Sequence, residues 1–152
     1  MNLSEIESAL SAARKTQTIG LPVSLRVFAE FADGSAQLPE WAALLAAMAR
    51  RTFDAAPQRV MARLDRGTLQ LSLLIEFAGG RTAALTLVRG VASCDALDLI
   101  LFGNHGVARL EGAECFDAGD SASVEQACEE ILAAIEASVS RGEVVEMVEN
   151  AP

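Results

Sequence analysis

The stretch that decides the fold runs from Leu69 to Glu111 and reads LQLSLLIEFAGGRTAALTLVRGVASCDALDLILFGNHGVARLE. Its first run, Leu69 to Phe77, alternates apolar and polar residues for most of its length, which is typical of a strand with one buried face. The connecting segments 78–80 and 103–106 are short and contain glycine, as tight hairpins require. Three further apolar runs follow the first: Thr82–Arg89, Leu97–Phe102 and Val107–Leu110. The sequence therefore predicts an antiparallel meander in the middle third of the chain.

The composition favours one compact, cytoplasmic domain. The chain has 152 residues, of which 51% are hydrophobic and 22% charged, enough to bury a core without metals or disulfides. No apolar run approaches the ~20 residues needed to span a bilayer, and the N-terminus lacks the pattern of a signal peptide. Cys94, Cys115 and Cys128 are odd in number and lack CxxC spacing, which argues against a disulfide framework and a zinc site.

The net charge of −9 argues against nucleic-acid binding. It is concentrated in residues 77–152, which hold thirteen of the 21 acidic side chains and four of the 12 basic ones. An acidic half repels phosphate backbones.

Helices and two more strands are predicted around this stretch. Val23–Phe31 and Arg59–Leu64 alternate as strands do. Pro39–Phe53 places Trp41, Leu44, Leu45 and Met48 on one helical stripe, and a last helix begins at Ser121 or Ser123 and ends at Arg141. A short helix is expected over residues 4–14. Residues 143–152 form either a frayed acidic tail or a short edge strand.

This order of elements predicts an α+β fold, a mostly antiparallel sheet with helices packed on one face. We expect a helical arm and linker over residues 1–20, a single α+β domain over 21–142 and the acidic tail over 143–152. The other face of the sheet is predicted to be open for dimerisation, because apolar residues stand among the polar positions of its strands. These interface candidates are Phe28, Met61, Leu74, Leu85, Leu87, Ile100 and Phe102.

From Val23 to about Val139 the chain resembles the C-terminal domain of the Gfo/Idh/MocA oxidoreductases, named after glucose-fructose oxidoreductase, inositol dehydrogenase and MocA. The segment 97–112 is similar to that family's alternating strand, glycine turn and following strand that runs into leucine-acid-glycine. The segment 73–85 resembles its leucine-x-phenylalanine-x-asparagine-glycine hairpin. The resemblance implies a substrate or oligomerisation domain.

The chain departs from this family at the positions that carry chemistry. It has no GxGxxG loop, and only some 20 residues precede the first strand, fewer than a Rossmann βαβ unit needs. The family's Glu-Lys-Pro motif has no counterpart, and Lys15 is the only lysine. The family's Asp-x-x-x-His helix aligns with Pro39–Phe53, which offers alanine, leucine and methionine. We therefore expect no nucleotide cofactor, no metal and no hydride transfer by this chain.

Four residues are candidates for ligand contact. Arg89 ends a strand and Asp95 follows in the next loop, where the resembling family borders its substrate site. Asn104 and His105 lie in the predicted turn between the last two strands, and His105 is the only histidine. Hairpin-tip and strand-end residues also have ordinary structural roles, so both interpretations stay open for all four.

Three functions remain open from the sequence. The first is a non-catalytic, stand-alone dehydrogenase-like domain that forms a homodimer, or docks on a separate enzyme subunit, through its sheet. The second is a small-molecule carrier that uses a pocket between sheet and helices. The third is an acid–base enzyme that uses His105.

Overall fold

The computed structural model describes residues 6, 8, 10–12, 19–90, 95–110 and 125–147. Within them the strands are β1 Pro22–Phe31, β2 Pro57–Leu64, β3 Gln70–Phe77, β4 Arg81–Arg89, β5 Ala96–Gly103, β6 Val107–Leu110 and β7 Val145–Glu146. The two long helices are α1 Leu38–Phe53 and α2 Glu125–Arg141. The strand and helix predictions for residues 23–110 are confirmed to within two residues at most boundaries. The predicted start of the last helix, residues 15–18 of the linker predicted to end at residue 20, Cys94 and Cys115 lie outside the described residues.

The seven strands form one sheet in the order β6-β5-β1-β4-β3-β2-β7, and the α+β fold class is confirmed. The predicted meander is wrong at one point, because β4 and β5 are not neighbours. β1 lies between them, parallel to β4 and antiparallel to β5, with Val27 opposite Leu85 on one side and Leu99 on the other. Alternation along a strand identifies the strand but not its neighbour, so the error could not be detected locally.

Both helices pack on one face of the sheet. The apolar side of α1 is fully buried against β1, β3 and β4, with Leu45 and Met48 at 0% exposure. α2 packs against α1 and β2 through Ile131 and Ile135. Residues 6, 8 and 10–12 are helical, and Ile6 and Leu10 join the same core. This core occupies one side of the sheet, and the side chains that point the other way are exposed or half-buried.

The prediction that Leu85 and Leu87 face away from the helices is wrong. Their exposed fractions are 1% and 0%, and they lie opposite Leu73 and Leu71, which are buried on the core side of β3. The alternation of β4 is weak, because Ala84 and Val88 stand on its other face beside threonines. In the sequence, the polar residues Thr82 and Thr86 indicate which face of β4 points away from the helices.

The ends of α1 follow from its sequence. Pro39 lies in the first turn, where a missing N–H leaves no bond unmade, and Arg50 and Arg51 lie in the last turn, where they interact favourably with the helix dipole. Asp54 ends the helix in the left-handed region, with φ of 51°, and its amide N–H bonds the carbonyls of Arg50 and Arg51. No helix within the described ranges is both long and apolar enough to cross a membrane.

Of the two alternatives for the acidic C-terminal segment, Val145 and Glu146 form a short edge strand on β2. Met147 continues this contact through its amide N–H, which bonds the carbonyl of Gln58 at 2.8 Å. Residues 148–152 lie outside the described residues.

Candidate functional site: the open face of the sheet

The face of the sheet opposite the helices, here called the open face, combines apolar and charged side chains in three rows across five strands. Phe28, Leu74 and Val107 on this face are 40%, 43% and 51% exposed. A row consists of residues that lie opposite one another on neighbouring strands, and each row runs from β5 through β1, β4 and β3 to β2. We name them the Phe102 row (Phe102, Ser24, Thr82, Glu76, Arg59), the Ile100 row (Ile100, Arg26, Ala84, Leu74, Met61) and the Asp98 row (Asp98, Phe28, Thr86, Ser72, Arg63).

The Ile100 row is the apolar centre of the open face. Four of its five side chains are apolar, and Arg26 alone carries charge. The guanidinium carbon of Arg26 lies 5.6 Å from the centre of the Phe102 ring, a cation–π distance. Arg26 thereby covers part of the ring with its planar head group. Five interface candidates from the sequence, Phe28, Met61, Leu74, Ile100 and Phe102, do lie on this face.

Charged groups stand at the two sides of the face. Near β7, Arg59 Nη1 lies 3.3 Å from Glu76 Oε2, and Arg59 Nε lies 3.9 Å from Glu146 Oε1. These exposed pairs contribute little to stability by themselves, roughly 0–1 kcal/mol each. Asp98 and Arg63 occupy opposite ends of the Asp98 row. These charged residues were not among the interface candidates, because the prediction of an open face rested on its apolar positions alone.

A cleft of about 320 Å³ opens on the same face beside β7. Met61 and Leu74 contribute apolar surface, and charged groups stand around them. Its lining consists of Arg59, Met61, Leu74, Glu76, Val144 and Glu146. The apolar positions of this cleft are thus surrounded by charged ones.

Two of the predicted ligand residues, Arg89 and Asp95, hold together the loops at one end of the sheet. Arg89 Nη1 donates to the Ala36 carbonyl at 2.7 Å, and Nη2 donates to the Thr68 hydroxyl at 2.9 Å. Asp95 Oδ1 accepts from the Ala32 amide at 2.8 Å. The described contacts of both side chains therefore connect strands and turns.

The turn between β2 and β3 is built around Asp65. Its Oδ1 accepts from the amides of Leu69 at 2.7 Å and Gln70 at 3.0 Å, and Oδ2 accepts from Gly67 at 3.3 Å. These amide bonds, chiefly that from Gln70, hold the pKa of the Asp65 carboxyl below its ordinary value. The turn places Thr68 at a φ of 56°, an unusual value for a β-branched residue, and Arg89 bonds its hydroxyl there. In the loop after β1, hydrogen bonds from Ser35 lower the pKa of Asp33 in the same way.

Asn104 and His105 fix the opposite end of the sheet. Asn104 Oδ1 accepts from the Leu21 amide at 2.8 Å, and the His105 amide donates to the Ile19 carbonyl at 3.1 Å. The segment before β1 crosses this turn so closely that a Cβ on Gly103 would overlap the Ile19 carbonyl oxygen. The His105 side chain is exposed, and no partner for its imidazole is found in the described part of the chain.

The four predicted ligand residues therefore form two separate pairs. Gly103 lies opposite Pro22 at the start of β1, whereas Ala96 lies opposite Glu30 near its end. At about 3.3 Å per residue, the two ends of β1 are roughly 30 Å apart. One small ligand cannot contact both pairs. No group of three or more potential metal ligands occurs within the described ranges.

The region between helices and sheet is filled by side chains where α1 meets the sheet. Leu45 and Met48 of α1 and Leu85 and Leu87 of β4 are each exposed by 1% or less. A cleft of about 440 Å³ lies instead at the end of α1, beside Arg50, Arg51 and Asp54. Burial raises the pKa of the nearby Cys128 thiol, which disfavours the reactive thiolate.

Comparison with known proteins agrees with this fold. The chain is similar to the scyllo-inositol dehydrogenase of Lactobacillus casei, solved with NAD(H) and scyllo-inositol, at a TM-score of 0.70 and 11% identity over 91% of this chain and 60% of that one. It is similar to the myo-inositol 2-dehydrogenase of Lactobacillus plantarum at a TM-score of 0.70 and 11% identity, over 93% of this chain and 61% of that one. It is also similar to GenD2 of gentamicin A biosynthesis, solved with NAD, at a TM-score of 0.72 and 15% identity, over 93% of this chain and 60% of that one.

The chain thus spans about three fifths of the length of these structures. No family model matches the chain. No curated protein matches it either. At these identities the likeness concerns the fold, and the resemblance to the C-terminal domain of the Gfo/Idh/MocA oxidoreductases is confirmed at that level.

Proposed function

We propose that this chain is a non-catalytic, dehydrogenase-like C-terminal domain that associates with a second copy of itself through the open face of its sheet. The observation that carries this proposal is the exposure of Phe28, Leu74 and Val107 on one face. Single exposed apolar residues are ordinary, but several on one flat sheet face mark an interface.

The size of the open face supports a stable pair. Five strands of eight to ten residues, about 26–33 Å long, and two short edge strands, all about 4.8 Å apart, give a surface on the order of 800 Å². A standard protein–protein interface buries about this area on each partner. Two twisted sheets can pack through such faces at a distance of ~10 Å, as in β-sandwiches.

The composition of α1 supports the non-catalytic part of the proposal. The resembling family has an aspartate and a histidine on this helix. Here the corresponding buried face consists mostly of alanine, leucine and methionine side chains, and it has no carboxylate or imidazole that could exchange a proton. The described contacts favour association over the carrier and acid–base interpretations, and these two stay predictions.

The mass of the protein in solution tests the proposal. We expect analytical ultracentrifugation at micromolar concentration to show a dimer for the wild type and a folded monomer for the double variant Phe28→Asp/Leu74→Asp. Leu21→Asp is the matched control, because Leu21 is 66% exposed but lies before β1 rather than on the open face. A monomeric wild type would refute self-association and leave docking on a different protein as the interpretation to pursue.

A further inference from the structure

We infer that the second copy packs with its two-fold axis along β4, so that Asp98 of each copy meets Arg63 of the other. This inference rests on the proposed function and adds the geometry of the pair. β4 is the fourth of the seven strands in the sheet. An axis along it overlaps all seven strands of both copies, and an axis along any other strand leaves part of one sheet uncovered.

The register makes the contacts of this arrangement explicit. With a two-fold axis along β4, each row of one copy lies over the same row of the second copy. Within a row, β5 of one copy lies over β2 of the other, because these two strands are each two places away from β4. In the Asp98 row, the carboxylate of Asp98 meets the guanidinium of Arg63 of the second copy. In the Ile100 row, Ile100 meets Met61 and Arg26 meets Leu74. Each contact occurs twice by symmetry.

The cleft beside β7 offers an independent argument for the same axis. It lies at Arg59, Met61 and Leu74, where the axis along β4 brings Ile100 and Phe102 of the second copy. Phe102 would lie over Arg59, as it already lies over Arg26 in its own chain. The apolar side chains Ile100 and Phe102 on the β5 side of one sheet thus face the cleft on the β2 side of the other.

An axis across the strands is much less favourable. Placed through the Ile100 row, it stacks Arg26 on Arg26 of the second copy and brings Arg59 against Arg63. Like charges brought together at an interface cost several kcal/mol. Shifted between the Ile100 and Asp98 rows, the same axis sets Ile100 against Asp98 and Met61 against Arg63, so that neither charged group meets an opposite charge on the second copy.

Both residues of the proposed ion pair are exposed on the sheet and accessible to a second copy. Arg63 is exposed on β2, and no hydrogen-bond or ion-pair partner for it is found among the described residues. Asp98 is exposed on β5 and also interacts within its own chain. A carboxylate has two oxygens with several acceptor positions, so it can accept a bond from the second copy as well.

A charge-reversal experiment with two single variants tests this geometry. Arg63→Asp alone would bring two aspartates together at both sites, and Asp98→Arg alone two arginines. We expect each homodimer to be weakened on the order of 100-fold. An equimolar mixture restores both opposite-charge pairs, so a heterodimer should form with close to wild-type affinity. Native mass spectrometry with one variant carrying a mass tag measures it.

The controls separate this inference from the proposed function. Arg66→Asp and Glu129→Arg make the same charge changes on exposed positions away from the open face, and both should dimerise as the wild type does. Circular dichroism confirms that each variant is folded. If the wild type dimerises and Phe28→Asp/Leu74→Asp does not, but the mixture shows no preference for the heterodimer, the axis along β4 is wrong and the proposed function stands. A monomeric wild type refutes both.

Discussion

The hydroxyl oxygen of Ser138 lies 2.9 Å from the amide nitrogen of Ala62 and accepts its hydrogen bond. The same hydroxyl donates to the carbonyl of Glu143 at 2.6 Å. Ser138 lies in α2 and is fully buried. Its hydroxyl therefore bridges the backbone of β2 and the backbone of the segment that leads into β7. The outer edge of β2 is thereby paired with β7 at Arg59 and Val60 and bonded to a helix at Ala62.

Replacing Ser138 by alanine should destabilise the protein by about 1–3 kcal/mol, because a buried amide and a carbonyl both lose their partner. Urea denaturation gives this free energy of unfolding. Ser140→Ala is the matched control on the same helix, since Ser140 is exposed and bonds only the Ala137 carbonyl among the described contacts. Its effect should stay within about 0.5 kcal/mol. Equal losses in the two variants would contradict the role of Ser138.

Leu87→Asp and Leu74→Asp should have opposite outcomes for folding. Leu87 is 0% exposed against α1, so a carboxylate there loses its solvation and costs more than about 3 kcal/mol. Leu74 is 43% exposed on the open face, so the same substitution should leave the fold intact. Far-UV circular dichroism with thermal melting measures both. A stable Leu87→Asp variant would show that the face of β4 has been assigned wrongly.

The acid side of the stability profile should depend on Asp65. Because amide hydrogen bonds lower its pKa below 3.8 in the folded state, its charge stabilises the fold above pH 4. That contribution is lost as the pH falls through the lowered pKa. Asp65→Asn should therefore be less stable than the wild type near neutral pH, and the difference should shrink below pH 4.

Denaturation curves between pH 2.5 and pH 7 test the Asp65 prediction. Glu129→Gln serves as a control, because Glu129 is exposed on α2 and has no hydrogen-bond partner in the described part of the chain. A wild-type to Asp65→Asn difference that stays constant down to pH 2.5 would show that the carboxylate charge does not stabilise the turn.

Arg89→Lys should weaken the loops at one end of the sheet. Arg89 bonds Ala36 and Thr68 through two different nitrogens, and a single ammonium group cannot reproduce this fork. We expect a loss of about 1–3 kcal/mol in the free energy of unfolding. Arg66→Lys, in the exposed turn between β2 and β3, is the matched control. Unchanged stability in Arg89→Lys would leave the side chain available for the ligand role predicted from the sequence.

The strands and the helix α1 could be predicted from the sequence because their periodicity is local. The open face could be predicted in outline for the same reason, and Phe28, Leu74 and Ile100 were placed on it correctly. The neighbour of β5 could not be predicted, since β1 reaches it from a distant part of the chain. Arg89, Asp95, Asn104 and His105 look like one cluster along the sequence, yet β5 carries the chain from one end of the sheet to the other between Asp95 and Asn104.

The position of β1 between β4 and β5 has a consequence for biosynthesis. β1 ends at Phe31, whereas its two neighbours begin only at Arg81 and Ala96. During translation β1 therefore leaves the ribosome well before either partner and presents two unpaired edges, which are prone to aggregation. Because the pairing is so distant in sequence, its loop closure is slow, and β2 and β3 can form their hairpin first. The early helix α1 can shield the apolar side of β1 during this delay, and a chaperone that holds extended segments would protect its edges.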